Sequence, residues 1–133
     1  MAYPTDYRYT KDHEWVQVNG DIATVGITDH AQHELGDVVF VELPVPGVQV
    51  VAGKTFGTVE SVKAVSDIYA PVSGEVTKSN GDLQNAPQRI NEDPHGQGWL
   101  IKVQFANPAE VNALMDAAAY EAYIATQSKE ASA

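Results

Sequence analysis

One lysine, Lys63, lies between two short runs of β-prone residues and is followed by a Pro-Val-Ser-Gly turn sequence at 71–74. The two runs predict a β-hairpin, and the lysine falls at its tip, where a side chain has little packing to do. Its neighbours Ser61, Val62 and Ala64 are small or β-branched and leave the amine open to a modifying enzyme. A primary amine in this position can be acylated by a carboxylic-acid cofactor. Lys63 is therefore the candidate attachment point for a carried group.

The composition limits what else the chain can be. Its 133 residues, of which 44% are hydrophobic and 20% charged, suit one well-buried domain, so we expect a single domain over 1–133. Eighteen acidic residues against 8 basic ones give a net charge of -10, without the basic stripe that nucleic-acid binding requires. No apolar run is long enough to span a bilayer, and the N-terminus shows no targeting leader. We expect a cytoplasmic monomer with no membrane association.

No other chemistry is indicated by the remaining residue types. Cysteine is absent, which excludes disulfides and thiolate metal sites and permits a dithiol cargo that no cysteine can trap. The four histidines are scattered in sequence, so we assign them polar or capping roles and predict no metal site: His13, His30, His33 and His95. The other lysines are interpreted as solubilising surface side chains. Three large aromatics are predicted to pack in the core or partly in it: Trp15, Phe40 and Trp99.

Short strands with closely spaced turns must position the hairpin. Strands are predicted at 15–18 and 22–25 around an Asn19-Gly20 turn, at 38–43, at 48–51, within the lysine hairpin at about 55–76, and at 100–105. A short helix is predicted from Thr28 or Asp29 to Gly36, and residues 85–98 are predicted to form a long surface loop. Asn107 and Pro108 predict the start of a helical segment over about 108–127, with Val111, Leu114, Met115, Ala118 and Ala122 on its apolar face. The fold class is therefore mainly β, a small barrel or sandwich with accessory helices.

Several motifs give the chain a specific resemblance. Glu60, Ser61, Val62, Lys63 and Ala64 are followed by Asp67 and by the segment 70–76, and together they resemble the lipoylation motif of the glycine cleavage H-protein family. Further matching segments occur in the same order at 13–15, 26–29, 35–44, 91–94 and 98–100. The resemblance therefore spans nearly the whole chain.

The resemblance implies a barrel-sandwich hybrid fold of the lipoyl and biotinyl carrier type and lipoate attached to Lys63 as N6-lipoyllysine. The arm would be on the order of 14 Å long when extended. The resemblance also implies a shuttle for the aminomethyl group of glycine. Its partners would be a pyridoxal-phosphate glycine decarboxylase, a folate-dependent aminomethyltransferase and a flavin-containing dihydrolipoyl dehydrogenase. A lipoate ligase or octanoyltransferase would modify it. The family's cleft residues correspond to Glu14 and Asp67, which become candidate contacts to the loaded arm. The alternative for these two acids is an ordinary solvated surface position.

Other functions remain open at this level. An independent enzyme is disfavoured because no nucleophile–base pair, phosphate loop or metal-ligand spacing is apparent. An adaptor domain with an unmodified Lys63 is a second alternative. An H-like protein that mainly donates lipoyl groups in a relay is a third. Two other carrier types differ beside the modified lysine. A biotin-type carrier would place methionine next to it, and a 2-oxo acid dehydrogenase domain would place Asp before it. This chain has Val62 before Lys63 and Ala64 after it.

Overall fold

A computed structural model describes the backbone of residues 3–132 and the side chains of residues 3–126. The strands in this range are β1 Arg8–Tyr9, β2 Glu14–Asn19, β3 Ile22–Ile27, β4 Val38–Glu42, β5 Gln49–Val50, β6 Thr55–Ser61, β7 Val65–Tyr69, β8 Gly74–Ser79 and β9 Ile101–Phe105. The helices are α1 Asp29–Leu35, α2 Asp82–Asn85, α3 Arg89–Glu92, α4 Pro108–Asn112 and α5 Ala117–Ser132.

The strands form two antiparallel sheets. The larger has six strands in the order β1-β2-β3-β9-β8-β5, and the smaller has three in the order β4-β6-β7. This architecture agrees with the predicted mainly β fold with short helices. Within residues 3–132 neither sheet closes on itself, so the fold is a two-sheet sandwich, without a closed barrel.

Three apolar clusters hold the sheets and helices together. One lies against the six-stranded sheet and contains Val16, Val25, Val76, Ile101 and Val103. A second draws from both sheets and the short helices and contains Ile27, Val41, Val59, Ile68, Leu83, Ile90 and Leu100. The third is aromatic and contains Tyr3, Tyr9, Trp15, Ala117 and Tyr120. The lysine hairpin, β6 and β7, is anchored in the second cluster, which leaves its tip free of core contacts.

The first hairpin turns one residue later than predicted. Asn19 pairs with Ile22, so the two-residue loop consists of Gly20 and Asp21. Gly20 has φ +65, a left-handed conformation that glycine adopts without steric cost. The hairpin itself is confirmed.

The predicted packing of Phe40 is wrong. Trp15 is buried and Trp99 half-buried, but 46% of Phe40 is exposed. The β4–β6 register shifts between Val38 and Phe40, and this bulge leaves both Val39 and Phe40 outside the core.

Residues 85–98 are not the surface loop that their polarity and prolines suggest. Within this segment the single-turn helix α3 inserts Ile90 into the core, and Pro94 and Gly98 are also buried. The single-turn helix α2, which ends where the segment begins, inserts Leu83. One apolar anchor in each turn is enough to hold the segment against the sandwich, although it is too sparse to create a periodic pattern.

The C-terminal helical segment is divided in two. Asn107 caps α4 as predicted, but residues 113–116 interrupt the helix, and Met115 exchanges two backbone hydrogen bonds with Tyr9, at 2.8 and 2.9 Å. Asp116 then accepts a hydrogen bond from the Ala119 N–H at the start of α5. The interruption rotates the buried face of α5 onto Ala117 and Tyr120, whereas the predicted apolar positions Ala118 and Ala122 are exposed.

Candidate functional site

Lys63 occupies the middle of a three-residue turn between β6 and β7, and its side chain is exposed. The buried hydroxyl of Ser61 organises this turn. Its oxygen accepts hydrogen bonds from the backbone N–H groups of Lys63, at 3.3 Å, and Ala64, at 3.1 Å, and it donates to the Ala64 carbonyl at 3.2 Å. The Ser61 N–H also donates to that carbonyl, at 2.8 Å. The turn therefore has a defined backbone beneath a free amine.

The end of α1 supports the hairpin tip. Thr28 caps this helix by accepting from the Ala31 N–H, and Gly36 ends it at φ +79, both as predicted. The Val62 N–H donates to the Asp37 carbonyl at 3.0 Å, and a Cβ added at Gly36 would lie 3.6 Å from Lys63 Cε. The lysine stem thus passes over the junction between α1 and β4.

Asn91 holds that junction in place and was not singled out as a functional residue from the sequence. Its amide oxygen accepts from the Val38 N–H at 2.9 Å, and its amide nitrogen donates to the Gly36 carbonyl at 2.9 Å and to Gln32 Oε1 at 3.0 Å. Its membership of the matching segment 91–94 was the only available signal, because polar side chains of this kind are common in surface turns.

Apolar side chains surround the tip. Val62 is 70% exposed and Val65 62% exposed, and the exposed Val39 and Phe40 lie on the adjacent strand β4. Glu60, half-buried on β6, pairs with Phe40 on one side and Val65 on the other. Single exposed apolar residues are ordinary, but a group of four beside one free amine is typical of a surface that contacts other molecules.

Glu14 is buried, which contradicts the alternative of a solvated surface acid. Only 2% of the residue is exposed. Its carboxylate accepts from the Thr10 hydroxyl at 2.7 Å and from the Tyr69 backbone N–H at 3.3 Å. Burial raises the pKa of Glu14 to about 7, although both hydrogen bonds favour the ionised form and partly oppose the shift.

Asp67 is exposed on β7, two residues before Tyr69 and opposite Thr58 of β6. The fold therefore brings Glu14, from β2, to the same strand that carries Asp67. Glu14 is enclosed, with a pKa raised to about 7, and Asp67 is in solvent two residues along β7 from the backbone that Glu14 contacts.

Among residues 3–126, the structure has no group of three or more His, Cys, Asp or Glu side chains that could hold a metal ion. The histidines are nevertheless less scattered than their sequence positions suggest, because the rings of His13 and His30 lie 4.6 Å apart. His95 Nε2 accepts from the Asp29 N–H in the first turn of α1 at 3.1 Å, and burial lowers its pKa. A neutral His95 thus supports the helix that leads to Gly36.

No helix in the part of the chain that the structure describes has the length and apolarity to cross a membrane. Within that part, the site consists of an exposed lysine on a hydrogen-bonded turn, a support built from α1, and a buried acid that contacts the backbone of β7. An exposed amine on such a turn is the arrangement that a carrier of a covalently attached group requires.

Comparison with known proteins places this carrier in a family. The model of the family described as "Glycine cleavage H-protein" matches residues 7–127. The glycine cleavage system H protein of Acidobacterium capsulatum is 56% identical over 124 residues, which cover 93% of this chain and 95% of the relative. That of Rubrobacter xylanophilus is 60% identical over 108 residues, covering 81% and 86%. A crystal structure of the H protein from Mycobacterium marinum superposes with a TM-score of 0.82 at 44% identity and covers 89% of this chain and 95% of that one.

The chain belongs to the glycine cleavage H-protein family. It is a carrier component of the glycine cleavage system, with the lipoyl-carrier shuttle role of that family, and not a catalyst. The family assignment confirms the resemblance seen in the sequence, and the solved structure confirms the mainly β fold class.

Proposed function

We propose that Lys63 carries the lipoyl group, in amide linkage to its Nζ, and that the chain shuttles the aminomethyl group derived from glycine. The observation that supports this most directly is the hairpin tip itself. Lys63 is exposed at the centre of a turn whose backbone is held by the buried Ser61 hydroxyl and by the Asp37 carbonyl. An enzyme that modifies the amine would meet a preformed backbone and no obstruction.

The residues present fit such a group. The apolar rim of Val62 and Val65 suits an aliphatic chain, and Gly36 leaves room beneath the lysine stem that a side chain would fill. Glu60, Ser61, Val62 and Ala64 are proposed to form the motif that the modifying enzyme reads. When bound, lipoate supplies a dithiolane that accepts and releases the carried group.

The two acids are proposed to hold the cationic amine of the loaded arm. Asp67 lies four residues after Lys63, at most about 13 Å away along an extended chain, which is comparable to the length of the arm. Glu14 presents a buried carboxylate at the neighbouring backbone of Tyr69. An ammonium group beside it would favour the ionised form, so Glu14 would give up its proton as the loaded arm is received.

The implied partners are the other components of the system and a modifying enzyme. They are a pyridoxal-phosphate glycine decarboxylase, a folate-dependent aminomethyltransferase, a dihydrolipoyl dehydrogenase, and a lipoate ligase or octanoyltransferase. The exposed group of Val39, Phe40, Val62 and Val65 is the proposed contact surface near the arm. Because the chain carries a net charge of -10, encounters with basic surfaces should weaken as salt increases.

The test is the intact mass of the protein after incubation with a lipoate ligase, lipoate and ATP. We expect the parent to gain one lipoyl group and Lys63→Arg to gain none. Lys54→Arg is the matched control, because Lys54 is an exposed lysine just before the opposite end of the same hairpin. A lipoylated Lys63→Arg protein, or a parent that gains nothing, would contradict the assignment.

A second experiment tests the shuttle role. The lipoylated protein is incubated with glycine and glycine decarboxylase, and the carried aminomethyl group is again measured by intact mass. We expect the parent to be loaded with the aminomethyl group. The double variant Glu14→Gln/Asp67→Asn should lose that group faster than the parent does. Equal rates of loss would show that the two acids do not hold the amine.

A further inference from the structure

A second polar site lies on the outer face of the six-stranded sheet, away from the lysine hairpin. It is a surface cavity of about 550 Å³. The residues that line it are Gln17, Asn19, Ile22, Thr24, Thr77, Lys78 and Lys102. None of them is acidic, although the chain as a whole has a net charge of -10.

Strand register aligns four of these side chains in one row. Gln17 is opposite Thr24, Thr24 is opposite Lys102, and Lys102 is opposite Lys78. Directly opposite residues of antiparallel strands have Cβ atoms about 5 Å apart. The row therefore crosses β2, β3, β9 and β8 and ends in two adjacent lysines.

A β-bulge in β8 is what turns the second lysine outward. Val76 pairs with Val103 and is fully buried, and the next pair is Lys78 with Lys102, so Thr77 is an additional residue. In a regular strand Lys78 would point to the same side as Val76, into the core. The bulge instead places Thr77 and Lys78 on the same cavity wall.

Neither lysine forms an ion pair with the residues whose side chains the structure describes. The ion pairs among residues 3–126 join His30 to Glu34 and His33 to Asp29, so no carboxylate of that range lies within 4.0 Å of the ammonium group of Lys78 or Lys102. Lys102 Nζ lies 5.2 Å from the centre of the Trp99 ring, which is a weak cation–π contact. Like charges directly opposite each other on a sheet destabilise it. The fold thus keeps together two cations that an external anion would stabilise.

We propose that this row, the Lys78–Lys102 site, binds a small polyvalent anion of the phosphate-ester class. Lysine ammonium groups bind phosphate oxygens as point charges, and the Thr24 hydroxyl and the Gln17 amide add neutral donors, whereas the Thr77 hydroxyl already donates to the Lys102 carbonyl at 3.3 Å. The cavity volume is within the range of small-ligand sites. Extended polyanions such as nucleic acids or anionic membranes would be repelled by the acidic remainder of the surface, which favours a small ligand.

The test uses inorganic pyrophosphate as the probe, at constant ionic strength, with the full chain. Amide NMR shifts should move at Thr24, Thr77 and Lys102 and stay unchanged at Lys63. Trp99 emission should change as Lys102 turns from the indole toward the anion, and Trp99→Phe should remove that change. Lys78→Gln should weaken binding by about tenfold, and Lys54→Gln should leave it unaltered.

The site is independent of the lipoyl arm, so Lys78→Gln should be lipoylated at Lys63 like the parent. The melting temperature gives a further readout. Without pyrophosphate, Lys78→Gln should melt no lower than the parent, because one of two opposed charges is gone, and pyrophosphate should raise the melting temperature of the parent by more than that of Lys78→Gln. Equal binding by parent and Lys78→Gln would overturn the proposal. So would tighter binding of an oligoglutamate peptide than of pyrophosphate, since that result would assign the row to an acidic protein surface.

Discussion

The Glu14 carboxylate accepts a hydrogen bond from the backbone N–H of Tyr69 at 3.3 Å, and this bond joins the two sheets. Glu14 belongs to β2 of the larger sheet and Tyr69 to β7 of the smaller one. The Thr10 hydroxyl binds the other carboxylate oxygen at 2.7 Å. A group proposed to serve the arm is therefore also a structural link, so its ionisation affects stability as well as function.

Replacing Glu14 by Gln should change how stability depends on pH. Because burial raises the pKa of Glu14 from 4.5 to about 7, the folded state binds its proton more tightly than the unfolded state. Between these values the parent loses stability as pH rises, by on the order of 3 kcal/mol in total. Glu14→Gln stays neutral and should escape that loss. The measurement is the free energy of urea unfolding of the unlipoylated proteins from pH 4 to pH 8.

Glu92→Gln is the control for this prediction, since Glu92 is exposed at the end of α3. It should follow the parent at every pH. If Glu14→Gln also follows the parent, the raised pKa of Glu14 is refuted.

His95 should contribute a pH dependence of opposite sign. Burial lowers its pKa, so below about pH 6.5 the unfolded state takes up a proton more readily than the folded state, and stability falls as pH falls. In His95→Gln the amide oxygen can still accept from the Asp29 N–H, and this variant should lose less stability than the parent as pH falls. His33→Gln alters an exposed histidine of α1 and should lose as much stability at low pH as the parent. An equal loss of stability in His95→Gln and the parent would count against a neutral, buried His95.

Ser61→Ala should slow lipoylation while leaving the protein folded. The hydroxyl makes three hydrogen bonds within the turn, and their loss should cost about 1 to 3 kcal/mol and loosen the backbone beneath Lys63. The measurement is kcat/KM of a lipoate ligase for each variant, with folding checked by circular dichroism. Ser66→Ala, on β7, is the matched control and should be modified like the parent. Equal kcat/KM for Ser61→Ala and the parent would mean that the ligase shapes the turn itself.

Gly26→Ala should destabilise the fold strongly. A Cβ at Gly26 would lie 2.6 Å from the indole of its cross-strand partner Trp15, which is buried and donates a hydrogen bond to the Pro94 carbonyl. Forcing a methyl group into such a contact costs about 1 to 3 kcal/mol, measured as a lower unfolding midpoint in urea. At Gly81 a Cβ meets nothing within 4 Å, so Gly81→Ala should unfold close to the parent midpoint. A small effect at Gly26 would mean that the Trp15 indole can move.

Local chemistry explains the parts of the fold that were predicted. The β-hairpin around Lys63, the cap at Thr28 and the helix end at Gly36 each depend on a few adjacent residues, and the structure has all three. The exposure of Lys63 follows from the same local pattern. These features can be predicted from one sequence because the interactions that stabilise them are made by residues adjacent in the chain.

Sparse anchors and bulges were missed because their signals are not periodic. A single buried Ile90 holds α3 in a polar segment, and Met115 pairs with Tyr9 where a continuous helix was expected. The bulge in β4 exposes Phe40, and the one in β8 turns Lys78 outward. Each of these features depends on contacts with a strand or with core residues that are distant in sequence.

By itself, the sequence determined the carrier class, the hairpin and its lysine, since motif spacing and turn chemistry are local properties. Only the tertiary structure decided that Glu14 is buried against Tyr69, that Asn91 supports the junction beneath Lys63, and that Lys78 and Lys102 share one cavity. Burial, pKa and unpaired charge are properties of packed neighbours, and no spacing along the chain specifies them.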